Sequence, residues 1–219
     1  MGLFNVNVPV GIAYLALLTA GTSLYSALSS ARWKRLQEPT VLSAWCMAVI
    51  LMPMIWRFRI PVASGLDLHL LGLSLFALMF GRQLGMLGMA LSVVAYTAVY
   101  DGLWSNLGLN LLLLAVLPAW CSDAVLRVIL RFFPHHIFVY LIGNGFFGSL
   151  VVLSTTDLIS LAAYKWLGMS LSVTADLIPY TLLLAWGEAF LMGFLLTIFT
   201  VYRPQWVWTF DDAVYLYEK

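Results

Sequence analysis

Long apolar stretches alternate with short polar breaks along the whole chain, and the stretches have membrane-spanning length. A helix crossing a hydrocarbon core needs about 20 mostly apolar residues, because it must satisfy its own backbone polar groups. Seven segments meet or approach that template: residues 8–29, 40–56, 66–80, 84–100, 107–130, 137–164 and 177–202. Period-two alternation is absent, which excludes a β-barrel. The third segment is short, about 22 Å at 1.5 Å per residue. It is expected either to be a partial helix packed inside protein or to begin at Ile60 with Pro61 in its first turn. Because the third and fourth segments also read as one hairpin, the pattern predicts an all-α integral membrane bundle of six to seven transmembrane helices.

Basic residues then orient the bundle, since they concentrate on the inner side. With seven spans and the N-terminus outside, the inner side receives Arg32, Lys34, Arg35, Arg82, Arg127, Arg131, Arg203 and Lys219. The outer side receives Arg57, Arg59 and Lys165. The expected arrangement is therefore N-out and C-in. Trp33, Trp56, Trp104, Trp166, Trp206 and Trp208 fall near the expected ends, as in an interfacial belt. No basic residue precedes the first apolar run, whereas Arg32, Lys34 and Arg35 follow it, so it reads as a retained helix and not a signal peptide.

Composition narrows the function classes. The 219 residues are 63% hydrophobic and 10% charged, against about 25% charged in soluble domains. A net charge of +1 with no basic block offers nothing to a nucleic-acid backbone. Cys46 and Cys121 lie singly in apolar runs and form no zinc motif. With no internal repeat or linker, residues 1–219 read as a single transmembrane domain. The expected location is the bacterial inner (cytoplasmic) membrane, as a multi-pass protein among lipid.

Small residues mark close helix approach: Gly81 and Gly85 near the fourth segment, and Gly143, Gly145 and Gly148 in Gly-Asn-Gly-Phe-Phe-Gly. The latter spells GxGxxG but follows no strand, so a dinucleotide site fails its context. An ionisable group within a span costs roughly 2.5–3.5 kcal/mol at a helix centre. Glu188, about 16 Å into its helix, is expected either to tie helices together through Asn110 or Asn144 or to act in transport. Asp123 and Arg127, at i,i+4, read as a salt bridge; Asp157 reads as reaching the interface from the outer half of its helix.

His135 and His136 fall in an inner loop, while His69 stands at the mouth of the short segment beside Asp67. Imidazole is the commonest protein ligand for transition metals. A separation of two residues puts Asp67 on another helix face from His69, unless the backbone is irregular there. Met52 and Met54 are soft donors that would suit Cu(I), against ordinary gap-filling by methionine. No nucleophile–base pattern, His-Glu-x-x-His or Walker loop is present, so the chain is not expected to be an enzyme, and any ATP hydrolysis falls to partner subunits.

Three places carry a family resemblance. Residues 63–72, Ala-Ser-Gly-Leu-Asp-Leu-His-Leu-Leu-Gly, look like a loosened Gly-Thr-Ser-x-His-Leu-x-Gly segment. Asp101-Gly102 leads to Leu107-Gly-Leu-Asn110, and Glu188 in the last helix precedes Arg203-Pro204. With residues 144–148 and 203–212, these resemble the CbiM-like permeases of cobalt and nickel energy-coupling-factor (ECF) importers, most strongly over residues 60–206, in a divergent proteobacterial branch. The resemblance implies a substrate-specific membrane subunit that captures Co²⁺ or Ni²⁺ at the outer side. It also implies a transmembrane coupling protein and ATPase subunits as partners. In the family the metal is held by the terminal amine, a backbone nitrogen, a second-residue histidine and the histidine matched here by His69. This chain opens Met1-Gly2 and lacks the second-residue histidine. The remaining candidate ligands are Met1, His69 and a further group from Asp67, Asn5 or Asn7, with no intrinsic cofactor and the metal as substrate. Two alternatives stand beside this reading: a copper-handling transporter subunit, and a non-transporting accessory subunit of a larger membrane complex.

Overall fold

The computed structural model describes residues 2–63, 66–100, 102–168, 174–211 and 215. Among the described residues, six helices are long and apolar enough to cross a membrane: α1 (Val10–Ser30), α2 (Pro39–Trp56), α3 (Leu73–Val99), α4 (Trp104–Phe132), α5 (Val139–Trp166) and α6 (Leu177–Tyr202). Leu18, Met47, Ile50, Phe190 and Phe194 all point outward, each more than half exposed. Such a surface suits lipid, where apolar side chains cost nothing to expose. α3 is the centre of the bundle. It buries 72% of its most apolar stretch, against 17% for α1 and 22% for α2.

Two features of this centre depart from the sequence pattern. The first is an antiparallel ribbon between α2 and α3, formed by β1 (Arg59–Ala63) and β2 (Leu66–His69). Arg59 pairs with His69, Ile60 with Leu68 and Pro61 with Asp67. The third segment is therefore helical only from Leu73, and neither residues 66–69 nor the start at Ile60 is helix. Pro61 removes one amide donor, and Ser64-Gly65 is a turn-forming pair in the sequence, so a ribbon satisfies the backbone better than a helix begun here.

The second is a sharp break in α3 at Gly81, whose φ of 76° and ψ of 171° no helix contains. Residues 73–80 and 82–99 fold back on each other about this glycine. A methyl group at Gly85 would come within 3.1 Å of the Ala77 Cα, and one at Gly88 within 2.6 Å of the Phe76 ring. The short arm is thus the partial helix packed inside protein, about 12 Å long, with every residue buried. Residues 70–72 and this arm together make one passage through the bundle. The N-terminal segment packs at the end bearing Trp56, His69 and Tyr96, and the tail packs at the end bearing Gly81. Among the described residues, the N-terminal segment and the tail therefore pack at opposite ends of the bundle.

A helix of eight residues leaves most of its terminal amides and carbonyls without intrahelical partners. Both ends of this arm are closed from the far end of the sequence. At its start, Leu71 N donates to both carboxylate oxygens of Glu188 at 2.9 Å, and Gly72 N donates to Oε1. At its finish, Trp208 N donates to Met79 O at 2.8 Å and Thr209 Oγ1 to Leu78 O at 2.9 Å. The Tyr140 hydroxyl, 2.6 Å from Thr209 Oγ1, holds that side chain in place.

Glycines let the outer helices close on this centre. A methyl at Gly108 would overlap the Leu17 backbone, so α1 crosses α4 in direct backbone contact. Residues Val139–Gly148 at the start of α5 wind as a wider π-helix. There a methyl at Gly145 would lie 3.2 Å from the Gly193 Cα, one at Gly148 3.1 Å from Val125, and one at Gly143 3.2 Å from Ile129.

Gly81→Ala is expected to destabilise the bundle by about 1–3 kcal/mol, the cost of a positive-φ, extended-ψ backbone that is essentially confined to glycine. The new methyl would also sit 2.9 Å from Trp208. Thermal unfolding in detergent, wild type beside variant, checks this.

Candidate functional site

The N-terminal segment folds back into the bundle. Leu3, Phe4 and Val6 are 0–4% exposed. An extended segment at this depth must find partners for its backbone groups, and two asparagines of α4 supply them. Asn106 Nδ2 donates to the carbonyls of Leu3 (2.9 Å), Phe4 (3.2 Å) and Val6 (2.6 Å). Asn110 Oδ1 accepts from Leu3 N at 2.8 Å, and Leu103 N donates to Phe4 O at 3.0 Å.

This anchoring delivers the Phe4 ring into an aromatic chamber. Phe4 lies 4.3 Å from the Tyr96 ring and 6.3 Å from the Trp56 ring. The His69 imidazole closes the group, 5.7 Å from Trp56 and 6.4 Å from Phe4. Trp56 Nε1 donates to Leu71 O at 3.1 Å, which fixes the indole beside the ribbon.

His69 is 4% exposed. Burial pushes its pKa down from the ordinary 6.5 to about 3, so the ring is neutral across the physiological range. Nδ1 stands 3.3 Å from Leu70 O. Assigning the proton to Nδ1 by that contact leaves a lone pair on Nε2, which has no hydrogen-bond partner among the described residues. A neutral, desolvated imidazole with one nitrogen uncommitted is equipped to ligate a metal ion.

The rest of the expected ligand set is not assembled around it. Among the described residues no three His, Cys, Asp or Glu side chains come together as a metal-holding group. Met1 and Asp101 lie outside the described residues. Asp67 lies on β2 opposite Pro61, so its two-residue separation from His69 is strand spacing and not the helical spacing expected. Gly2 has no room for a side chain: a methyl there would overlap the Phe4 ring. The space beside residue 2 is thus filled by phenylalanine. The sulfur donors do not converge either, since Met52 packs against Gly72 while Met54 is 52% exposed.

Glu188 binds the backbone amides of Leu71 and Gly72, not Asn110 or Asn144. Leu71 lies two residues beyond His69 at the exit from β2, so this carboxylate sets where the ribbon ends and the short arm begins. Asn144 is buried, and both polar atoms of its amide lack a partner among the described residues. Asp157 does not reach the interface: it is 4% exposed and acts on Glu188 as an electrostatic neighbour. Asp123 takes Arg127 at 2.8 Å, the i,i+4 pair, and also Arg82 at 3.2 Å. His136 accepts from Phe138 N and stacks on the Phe138 ring, while His135 is exposed near Tyr215. Phe4, Tyr96 and Asn106 escaped the sequence reading, and Trp56, expected in an interfacial belt, is instead fully buried. Only Asn106 carried a signal, as a turn-favouring residue directly before a helix.

Because the folded state holds His69 neutral, the unfolded chain binds one more proton between about pH 3 and 6.5. The contribution of His69 to stability is therefore fully present above pH 6.5 and is lost as pH drops towards 3. His69→Gln is expected to flatten that slope, which unfolding midpoints measured from pH 7.5 to 4.5 would show.

Residues 3–206 match the family model described as the cobalt uptake substrate-specific transmembrane region, CbiM. No curated protein matches the chain.

Proposed function

The chain belongs to the CbiM family of cobalt uptake transmembrane proteins, and from that premise we propose that it is the substrate-binding membrane subunit of an ECF-type importer for Co²⁺ or Ni²⁺. The observation that carries the reading is His69: buried, neutral, and with Nε2 uncommitted among the described residues. In this reading His69 is the side-chain ligand, and the terminal amine of Met1 and the Asp67 carboxylate are candidates for further positions. The folded-back N-terminal segment supports this, because Asn106 and Asn110 bring the start of the chain to the His69 chamber.

The orientation follows from charge. Arg32, Lys34, Arg35, Arg82 and Arg127 cluster at the Gly81 end, and Arg57 and Arg59 lie at the His69 end. The positive-inside rule supports a reading with the Gly81 end in the cytoplasm and the His69 chamber outside. Transport against a gradient needs a coupling protein and ATPase subunits, since the chain has no phosphate-binding loop of its own.

A second reading is favoured by one observation, the Phe4 ring filling the space beside Gly2. A subunit that keeps the fold but no longer transports would retain such a plug and lose the metal.

The full chain, purified in detergent and titrated with Co²⁺ and Ni²⁺, separates the two. The importer reading expects one ion bound per chain, with affinity reduced at least tenfold in His69→Ala. Equal binding in wild type and variant removes His69 from the site. Absence of binding in the wild type for either ion gives the second reading instead.

A further inference from the structure

At the opposite end of the bundle from His69, a cleft of about 160 Å³ opens where the α1–α2 connection, the Gly81 turn and the tail meet. Three guanidinium groups line it: Arg32, Arg35 and Arg82. The Trp208 ring forms its wall, with Arg35 at 4.4 Å and Arg32 at 5.3 Å from the ring centre. Arg82 lies over Trp120 at 4.1 Å.

The charge in this cleft is not balanced. Asp123 is the lining carboxylate, and it is shared between Arg82 and Arg127. Glu38 is exposed, accepts from Thr40, and acts on Arg35 only at a distance. Arg35 Nη2 donates to Gln205 O, but its Nε is buried with no acceptor among the described residues. The Arg32 guanidinium has no ion pair or hydrogen bond among the described residues, and it stacks on Trp208. A buried donor left unpaired costs about 1–3 kcal/mol, and a guanidinium fork matches phosphate oxygens in pairs.

We infer that this cleft binds a phosphate-bearing anion, supplied by the headgroup of an anionic phospholipid. Its level in the bundle favours the lipid over a free ion. Trp208 lines it, Trp120 lies under Arg82, and Trp33 lines an adjoining cavity that shares Arg32 and Arg35; tryptophan rings gather at the headgroup level of a bilayer. Basic clefts between transmembrane helices are recurrent sites for such headgroups. From Arg82 a second cavity of about 250 Å³ continues between α1 and α3, past Ser26, Met86 and Trp120, in the direction of the acyl chains. A protein partner's acidic residue would need no such continuation into the membrane.

The test uses the full chain, stripped of lipid and titrated with phosphatidylglycerol or phosphatidylcholine under native mass spectrometry. Wild type is expected to take up one phosphatidylglycerol at least tenfold more tightly than phosphatidylcholine. Arg32→Gln, an exposed position that the fold does not depend on, should reduce that preference severalfold, and Arg32→Gln/Arg35→Gln should abolish it. Lys165→Gln, an exposed basic residue at the other end of the bundle, should leave it unchanged. Displacement of phosphatidylglycerol by low-millimolar inorganic phosphate would keep the anion site but overturn the lipid as its source. Equal uptake in wild type and the double variant, or an equal loss in Lys165→Gln, would overturn the site. Unchanged lipid uptake with loss of a co-expressed coupling subunit would make the cleft a protein-docking surface and overturn the proposal.

Discussion

Everything at the centre of this protein depends on one carboxylate placed against the start of an eight-residue helix. Residues 73–80 are too short to cross a membrane and too buried to borrow water for their ends. Glu188 resolves the first half of that problem by accepting from Leu71 and Gly72, where the helix dipole is positive and favours an acidic group. The tail resolves the second half by donating to the carbonyls of Leu78 and Met79. Both anchors come from α6 and the residues after it, so the last element in the sequence sets the position of the third passage. His69, three residues before Gly72, inherits its place from this arrangement.

A second network serves the same chamber from the other side. One amide group, Asn106 Nδ2, lies within bonding distance of three carbonyls of the N-terminal segment, and Asn110 takes the amide of Leu3. These bonds replace those that an extended segment would otherwise lack inside a bundle. They bring Phe4 against Tyr96 and His69, and so decide the chemistry that surrounds the imidazole. The chamber is aromatic and contains one neutral nitrogen donor; its character differs from a cluster of charged ligands, and Gly2 is the residue that makes it possible.

Much of the fold was legible because the bilayer imposes a simple rule of length and apolarity. The boundaries of α2 and α6 follow from it closely, and the partial helix at residues 73–80 was visible as a segment too short to span. The ribbon was not legible, because its apolar residues satisfy the same hydropathy as a helix start and its pairing is decided by backbone partners. The site was half legible. His69 and Glu188 stood out as polar groups in apolar surroundings, but the partners of Glu188 are backbone amides, which leave no trace in a sequence. Asp157 was misplaced for a related reason: position along a helix gives depth, whereas burial depends on which neighbour covers that face.

The sequence by itself determined that this chain lives in a membrane, how many apolar passages it offers, and which few polar groups must find partners there. Those conclusions need only local composition, since transfer into hydrocarbon is priced residue by residue. The tertiary structure alone decided that the chain start returns to the bundle, that Phe4 fills the space beside Gly2, and that Glu188 and the tail close the two ends of one short helix. Apart from the local contact of Phe4 with Gly2, these join residues about 70 to 130 positions apart. They form because buried backbone groups must be paired, and only the folded arrangement of the helices determines which groups are within reach.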